Sequence, residues 1–204
     1  MQIASAMTEL TTATPLAVQS DASDRACLQA IANGDRRAMN QLFARHNVRV
    51  YRFILRLTRS ETVAEDLVSE VFLDAWRQAG RFEARSQVST WLLAIARNKA
   101  ISTMRRRHDA ELDEDALAMV EDPSDNPEVA LEKNERSSLL RKCLAQLSPA
   151  HREIIDLVYY HEKSVEEAAV ITGIPPGTVK TRMYYARQQL AALVEKAESG
   201  RMLS

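Results

Sequence analysis

Near the C-terminal end of the 204-residue chain, Thr178, Lys180, Thr181, Tyr184, Tyr185 and Gln188 fall within one short stretch. At about 100° per residue they share one side of a helix. Val179, Met183, Ala186, Leu190, Leu193 and Val194 recur on the other side as an apolar stripe. The polar face offers hydroxyls, an amide, an ammonium and two phenol rings, and it has no carboxylate. That set suits a helix in a DNA major groove, where donors and acceptors read base edges and cations meet phosphate. Thr181, Tyr184 and Tyr185 lie furthest from the stripe and are the expected base readers. Lys180 sits at the edge and suits a base or a phosphate, while Arg182 and Arg187 flank the stripe and suit phosphates.

The preceding residues position that helix. Ser164 with Glu167 three places on forms a capping box opening a short helix. Ala168 and Ala169 permit close crossing by a second helix, Gly173 supplies a left-handed stop, and Pro175-Pro176 opens the next helix, where a missing N–H costs little. An ordinary helical hairpin with a solvated face is the plainer alternative. Cap, glycine turn and acid-free face together favour a DNA-binding helix-turn-helix.

Two further constellations lie in the first half. Asp66, Glu70 and Asp74 stack at i, i+4 and i+8, with Glu65 nearby. Like charges at that spacing weaken an isolated helix by a few tenths of a kcal/mol each. Either they form a docking strip for a basic protein partner, or neighbouring arginines neutralise them. The second constellation couples Phe82 and Trp91 to Arg97, Asn98, Lys99, Arg105, Arg106 and Arg107. Cations that track phosphates beside an aromatic pocket suit an unpaired strand with an unstacked base. A structural helix whose basic end complements its own dipole is the alternative.

The elements follow from periodicity and breakers. Residues 1–23 read as a disordered, Ser/Thr/Ala-rich tail. A short helix runs from about Asp24 to Ala32 and stops at Asn33-Gly34. A long one runs from Arg36 to Leu57, with Met39, Leu42, Phe43, His46, Val50, Phe53, Ile54 and Leu57 as its apolar stripe. Arg45, Arg49, Arg52, Arg56 and Arg59 form a basic edge that, taken alone, is a solvated face. Ser60 caps a third helix, which carries the acidic strip, buries Ala64, Leu67, Val68, Val71, Phe72 and Ala75, and ends at Gly80. A loop from Gly80 leads to a fourth helix, Val88 to Arg107. That helix is apolar on two sides, Val88, Trp91, Leu92 and Ile95 against Leu93, Ala94, Ile101 and Met104, and so is expected between neighbours.

The net charge of −1 hides a strong segregation. Residues 36–108 carry fifteen basic and six acidic groups, 109–135 one basic and eleven acidic, and 136–204 ten basic and seven acidic. The acidic stretch, with its Pro and Ser, reads as an extended linker. The expected organisation is all-α, with two small helical domains, 24–108 and 136–197, joined by an acidic flexible linker at 109–135 and followed by a tail at 198–204. Five glycines and a lack of strand-like alternation support the class. There is no apolar run long enough to span a membrane and no secretory signal, so the expected location is the cytoplasm. Cys27 and Cys143 lack zinc-site spacing and read as small core residues. His46, His108, His151 and His161 are scattered, so no catalytic site, metal or cofactor is expected.

With these residues in hand, AEDLVSEVFLDAW (64–76), STWLLAIARNKAISTMRRR (89–107), LSPAHREIIDLVYY (147–160) and GIPPGTVKTRMYYAR resemble the extracytoplasmic-function (ECF) sigma factors of bacterial RNA polymerase. The resemblance covers about 25–107 and 136–195. It implies partners, namely core RNA polymerase, promoter DNA and an anti-sigma factor, and an alternative-type role in a stress or envelope response. It places Asp66, Glu70 and Asp74 at the polymerase clamp, and Phe82, Trp91, Arg97, Asn98, Lys99, Arg105 and Arg106 at the −10 element. It assigns Thr178, Lys180, Thr181, Arg182, Tyr184, Tyr185 and Arg187 to the −35 groove. Ser69, Ser102 and Tyr185 depart from the residues common in those motifs and bear on the promoter sequence. A helix-turn-helix regulator with a ligand- or protein-binding first domain is the alternative function, and a decoy that titrates an anti-sigma protein a third.

Overall fold

The computed structural model describes residues 15–111 and 139–201. Within them every regular element is a helix, with no strand. Helix α1 spans Pro15–Ala32, α2 Arg36–Thr58, α3 Glu61–Gln78 and α4 Val88–Glu111, with a 3₁₀ turn at Ala79–Arg81. After the undescribed segment 112–138, residues 139–145 are helical. There follow α5 at Pro149–Ile155, which runs on as a π-helical turn at Asp156–Tyr160, then α6 at Val165–Thr172 and α7 at Pro176–Arg201.

The boundaries follow from local chemistry. Asp35 caps α2 by accepting from the N–H groups of Arg37 and Ala38 at 2.7 and 3.2 Å. Ser60 caps α3 through the Val63 N–H, and Ser148 caps α5 through the His151 N–H. Each such cap contributes about 1 kcal/mol. Gly34 takes φ 85° where α1 turns into α2. Gly80 was expected to stop α3 but lies inside the 3₁₀ turn; the helix tightens there before it ends.

Helices α1 to α4 form the N-terminal domain around Leu28, Leu42, Val50, Phe53, Ile54, Val71, Leu92 and Leu93, all essentially inaccessible. Fully burying an aliphatic or aromatic side chain of this size contributes roughly 1.5–3 kcal/mol. The arc expected on α3 is buried in full. Three expectations are corrected. Helix α1 begins at Pro15, not Asp24, so residues 15–23 are helix rather than tail. On α4, Ile101 and Met104 are exposed, because only the first half of the helix lies between neighbours. Phe43 of the α2 stripe is also exposed and stacks edge-on against Phe72. Residues 1–14 and 112–138, which hold most of the expected tail and linker, lie outside the described residues. Helix α4 runs to Glu111 and α7 to Arg201, past the expected domain ends.

The C-terminal domain packs α5 on α7 and α6 on α7. Its apolar centre is divided. Leu147, Ile155 and Ala186 form a small cluster of their own. Ile154, Leu157, Ala168, Ala169, Ile171 and Val179 are continuous with the core of the N-terminal domain. Helix α6 lies against α4 as well as α7, so the small residues on α6 serve two crossings rather than one.

Candidate nucleic-acid interface

The C-terminal reading helix is positioned as its sequence dictates. Ser164 Oγ accepts from the Glu167 N–H at 3.1 Å, and the Glu167 carboxylate accepts from the Ser164 N–H at 3.0 Å. Gly173 takes φ 68° and closes α6 through the Ala169 carbonyl. Pro175 then supplies the carbonyl that accepts from the N–H groups of Thr178 and Val179. Val179 and Ala186 are fully buried, and Met183, Leu190, Leu193 and Val194 are half-buried, which is the expected stripe.

The opposite side of α7 is open. Lys180, Thr181, Arg187 and Gln188 are exposed, Thr178 and Arg182 half-buried. Tyr184 and Tyr185 are 58% and 54% exposed, with ring centroids 5.4 Å apart in an edge-to-face pair. Gln188 donates to the Tyr184 hydroxyl at 2.8 Å, which fixes that ring's outer end. Thr181 donates back to the Gly177 carbonyl at 3.0 Å, so its oxygen is left to accept. The two rings cover only each other's edges and leave the rest of their surface open to a ligand.

In the N-terminal domain Phe82 and Trp91 come together, with centroids 5.3 Å apart. Asn98, Arg105, Arg106 and Arg107 are exposed on α4. The other two cations of that set are already engaged. Arg97 forms a two-pronged contact with Glu153, at 2.6 and 3.3 Å. Lys99 is only 21% exposed and lies 3.1 Å from Glu70 and 2.8 Å from Asp74. Partial burial works against the Lys99 ammonium, but the two carboxylates hold its pKa above the ordinary value. The acidic strip is therefore divided: Lys99, with Arg77 at 3.9 Å from Asp74, neutralises its lower half. Asp66 is exposed and has no ion-pair partner among the described residues.

Sequence reasoning missed the residues between the domains. Arg56 of α2 pairs with Asp156 and lies 3.9 Å above the Tyr160 ring. Lys163 is 4% exposed; its ammonium donates to Ser89 at 2.7 Å, to Gln87 at 3.2 Å and to Glu167 at 3.1 Å. Burial pushes the Lys163 pKa below its usual value despite the neighbouring carboxylate. Glu167 also accepts from the Thr90 hydroxyl. Burial opposes its ionisation, yet the bonds from Thr90, Lys163 and the Ser164 N–H hold its pKa below the ordinary 4.5. The only sequence signal was Lys163 beside a capping box, which reads as a surface residue.

Comparison with known proteins decides what these surfaces belong to. Residues 42–109 match sigma-70 region 2, and residues 137–190 match sigma-70 region 4. The RNA polymerase sigma factor CarQ of Myxococcus xanthus is 33% identical over 174 residues, covering 84% of this chain and 97% of that protein. The ECF RNA polymerase sigma factor RpoE of Cereibacter sphaeroides is 30% identical, covering 83% of this chain and 96% of that one. The chain belongs to the ECF sigma factors. Solved structures agree. The sigma factor RpoE of Bartonella quintana, bound to the anti-sigma factor NepR, superposes with a TM-score of 0.66 at 30% identity, covering 76% of this chain and 96% of that one. CnrH, bound to the cytosolic domain of CnrY, gives 0.62 at 28% identity over 85% of this chain and 98% of that one.

A sigma factor is a non-enzymatic initiation factor that binds core RNA polymerase and promoter DNA. Region 2 is α2 to α4 and region 4 begins just ahead of helix 139–145 and ends within α7. The region 2 match replaces the alternative of a ligand-sensing regulatory domain. No group of side chains among the described residues has the makings of a metal site, and Cys27 and Cys143 are free thiols in the core. No described helix is long and apolar enough to cross a membrane.

Proposed function

We propose that this sigma factor directs polymerase to promoters through two separate contacts, α7 in the −35 major groove and α4 with the Phe82–Trp91 corner at the −10 strand. The observation that carries the reading is the open, acid-free face of α7 with its two uncovered tyrosines. Thr181, Tyr184 and Tyr185 read bases, Lys180 and Thr178 lie at the edge of the contact, and Arg182 and Arg187 bind phosphates. Asn98, Arg97, Arg105 and Arg106 act on the opened strand. Asp66 leads the contact with the polymerase clamp, with Glu70 and Asp74 behind it. Lys99 braces that strip and reaches DNA only by giving up its carboxylates.

The factor acts in the cytoplasm, where its polymerase is, and an anti-sigma protein restrains it until a stress or envelope signal arrives. Support comes from the sigma factor RpoE of Bartonella quintana, whose structure holds it in complex with the anti-sigma factor NepR. The test is in vitro transcription with core polymerase on a randomised promoter library. Enrichment of a paired −35 and −10 motif, with the −35 half lost on changing Thr181, Tyr184 and Tyr185 together to Ala, is the expected result. Selection of a single motif, or retention of the −35 half in the triple variant, overturns it.

A further inference from the structure

The loop between α3 and α4 carries the Phe82–Trp91 corner, and little within the loop holds it in shape. Glu83, Ala84 and Arg85 are exposed. Ala84 takes φ 55°, a left-handed backbone that a residue with a Cβ adopts only under constraint. The Glu83–Arg85 ion pair lies at the surface, with side chains 63% and 84% exposed, and such a pair constrains little. The C-terminal domain does not fix this backbone either, because within the loop Lys163 reaches only the Gln87 side chain.

Both feet of the loop stand on α1. At the first, the 3₁₀ turn packs on α1, and a Cβ placed on Gly80 would lie 3.8 Å from the Ala32 Cβ. At the second, Asp21 reaches across and accepts from the Val88 N–H at 2.8 Å. That N–H is one of the four that a helix leaves unpaired at its start. Asp21 thus does from another helix what an N-cap residue does from its own. Its other carboxylate oxygen accepts from Arg25 Nε at 2.6 Å, and Arg25 extends Nη2 to the Ser86 carbonyl at 3.5 Å. The Asp21 side chain is only 15% exposed, so water competes weakly for the Val88 N–H. The region 2 match begins at residue 42, which leaves α1 outside it.

A loop that is unsupported when it receives an unstacked base must be ordered at that moment, and the cost is subtracted from binding. One ordered beforehand avoids that cost. We infer that Asp21 and Arg25 are positioning residues for promoter opening: from α1 they set the 82–87 loop before DNA arrives, so that the Phe82–Trp91 corner stands ready for a −10 base. The link to the −10 base rests on the proposed role of that corner; the anchoring of the loop by α1 does not.

The test compares Asp21→Ala with Asp21→Asn in the full-length chain. Asparagine keeps an oxygen for the Val88 N–H and alanine does not. In the free protein, amide exchange at Val88 should be faster by about fivefold in Asp21→Ala, the size of a lost N-cap. In Asp21→Asn it should stay close to the unsubstituted rate. Holoenzyme carrying Asp21→Ala should assemble normally. On a randomised promoter library it should lose about fivefold of its preference at one −10 position, with the −35 preference intact, and Asp21→Asn should keep both. A merely structural Asp21 would lower the thermal midpoint and leave the −10 preference as it was.

Unchanged Val88 exchange in Asp21→Ala overturns the anchoring. An unchanged −10 preference in Asp21→Ala, where Phe82→Ala loses that preference, overturns the positioning role alone. If Phe82→Ala also keeps it, the corner is not the capture site and the positioning role falls with that reading, while the anchoring is decided by exchange. Should Asp21→Ala fail to assemble, Arg25→Met decides in its place, since it removes the bond to Ser86 at a half-exposed site and leaves the Asp21 cap to hold the fold. Faster exchange over 82–88 with a weaker −10 preference then supports the role, and no change in either overturns it.

Discussion

At the residue scale, a few charged groups decide most of the outcomes. Asp24 is 2% exposed and holds His46 at 2.6 Å and Arg45 at 2.8 Å. Burial opposes its ionisation, but the bonds from His46 and Arg45 leave its pKa below the ordinary 3.8. Asp24→Asn should cost about 3 kcal/mol, read as a lower urea midpoint, because both partners lose the buried charge. Asp24 and Glu167 share a depressed pKa. The unfolded chain therefore binds more protons in acid than the folded one, so stability is complete above the ordinary carboxylate values and falls as pH drops through the depressed ones. Glu167→Gln should flatten that fall when the thermal midpoint is followed below about pH 5. Docking is a second residue-scale matter. Asp66 faces water with no ion-pair partner among the described residues, whereas Glu70 and Asp74 share Lys99. Asp66→Lys should weaken core binding by about 1–3 kcal/mol with helicity unchanged, and a pull-down of undiminished yield would remove Asp66 from the interface. His46 and the α2 arginines show why sequence could not supply this. Period placed His46 in the core and Arg45 on a solvated edge, but the shared carboxylate came from another helix.

Among the elements, the helix-turn-helix was legible almost in full. Its capping box, its glycine stop and its stripe all rest on contacts within a few residues, and those are the contacts a sequence encodes directly. Ser164→Ala should therefore cost about 1 kcal/mol, and more if the freed Glu167 also loosens Lys163 and Thr90. Val179→Asp should unfold the C-terminal domain, since it buries an unpaired charge where Val179 is fully enclosed. Loss of helical signal confined to that half of the chain, measured by hydrogen exchange, is the check. Other elements were harder to read. Helix α1 starts in a stretch whose Ser, Thr and Ala content suggests disorder, and tertiary packing on α2 overrides that weak propensity. The two apolar sides of α4 are real, but only its first half is enclosed. Nothing in the periodicity shows where a neighbouring helix ends.

For the whole molecule, charge segregation identified two domains and their order but not that they touch. Pairs such as Arg56–Asp156, Arg97–Glu153 and Thr90–Glu167 join positions dozens of residues apart and leave no local pattern. Their consequence is a pair of variants on adjacent residues that should behave differently. Asn98 is exposed and its side chain makes no hydrogen bond among the described residues, so Asn98→Ala should leave holoenzyme assembly as it is. It should lower open-complex formation, because what is lost is capture of the unpaired strand. Arg97 is held by Glu153 across the domains. Arg97→Ala leaves Glu153 buried without its cation, so the thermal midpoint should fall along with open-complex formation. A promoter mismatched across the −10 element supplies the melting free energy in advance and should restore transcription for both. Assembly is read by native gel shift with core polymerase, and opening by permanganate reactivity of unpaired thymines. If the two variants match in thermal midpoint, the contact with Glu153 contributes nothing to stability. If the mismatched template rescues neither, these residues are not part of the strand-opening surface.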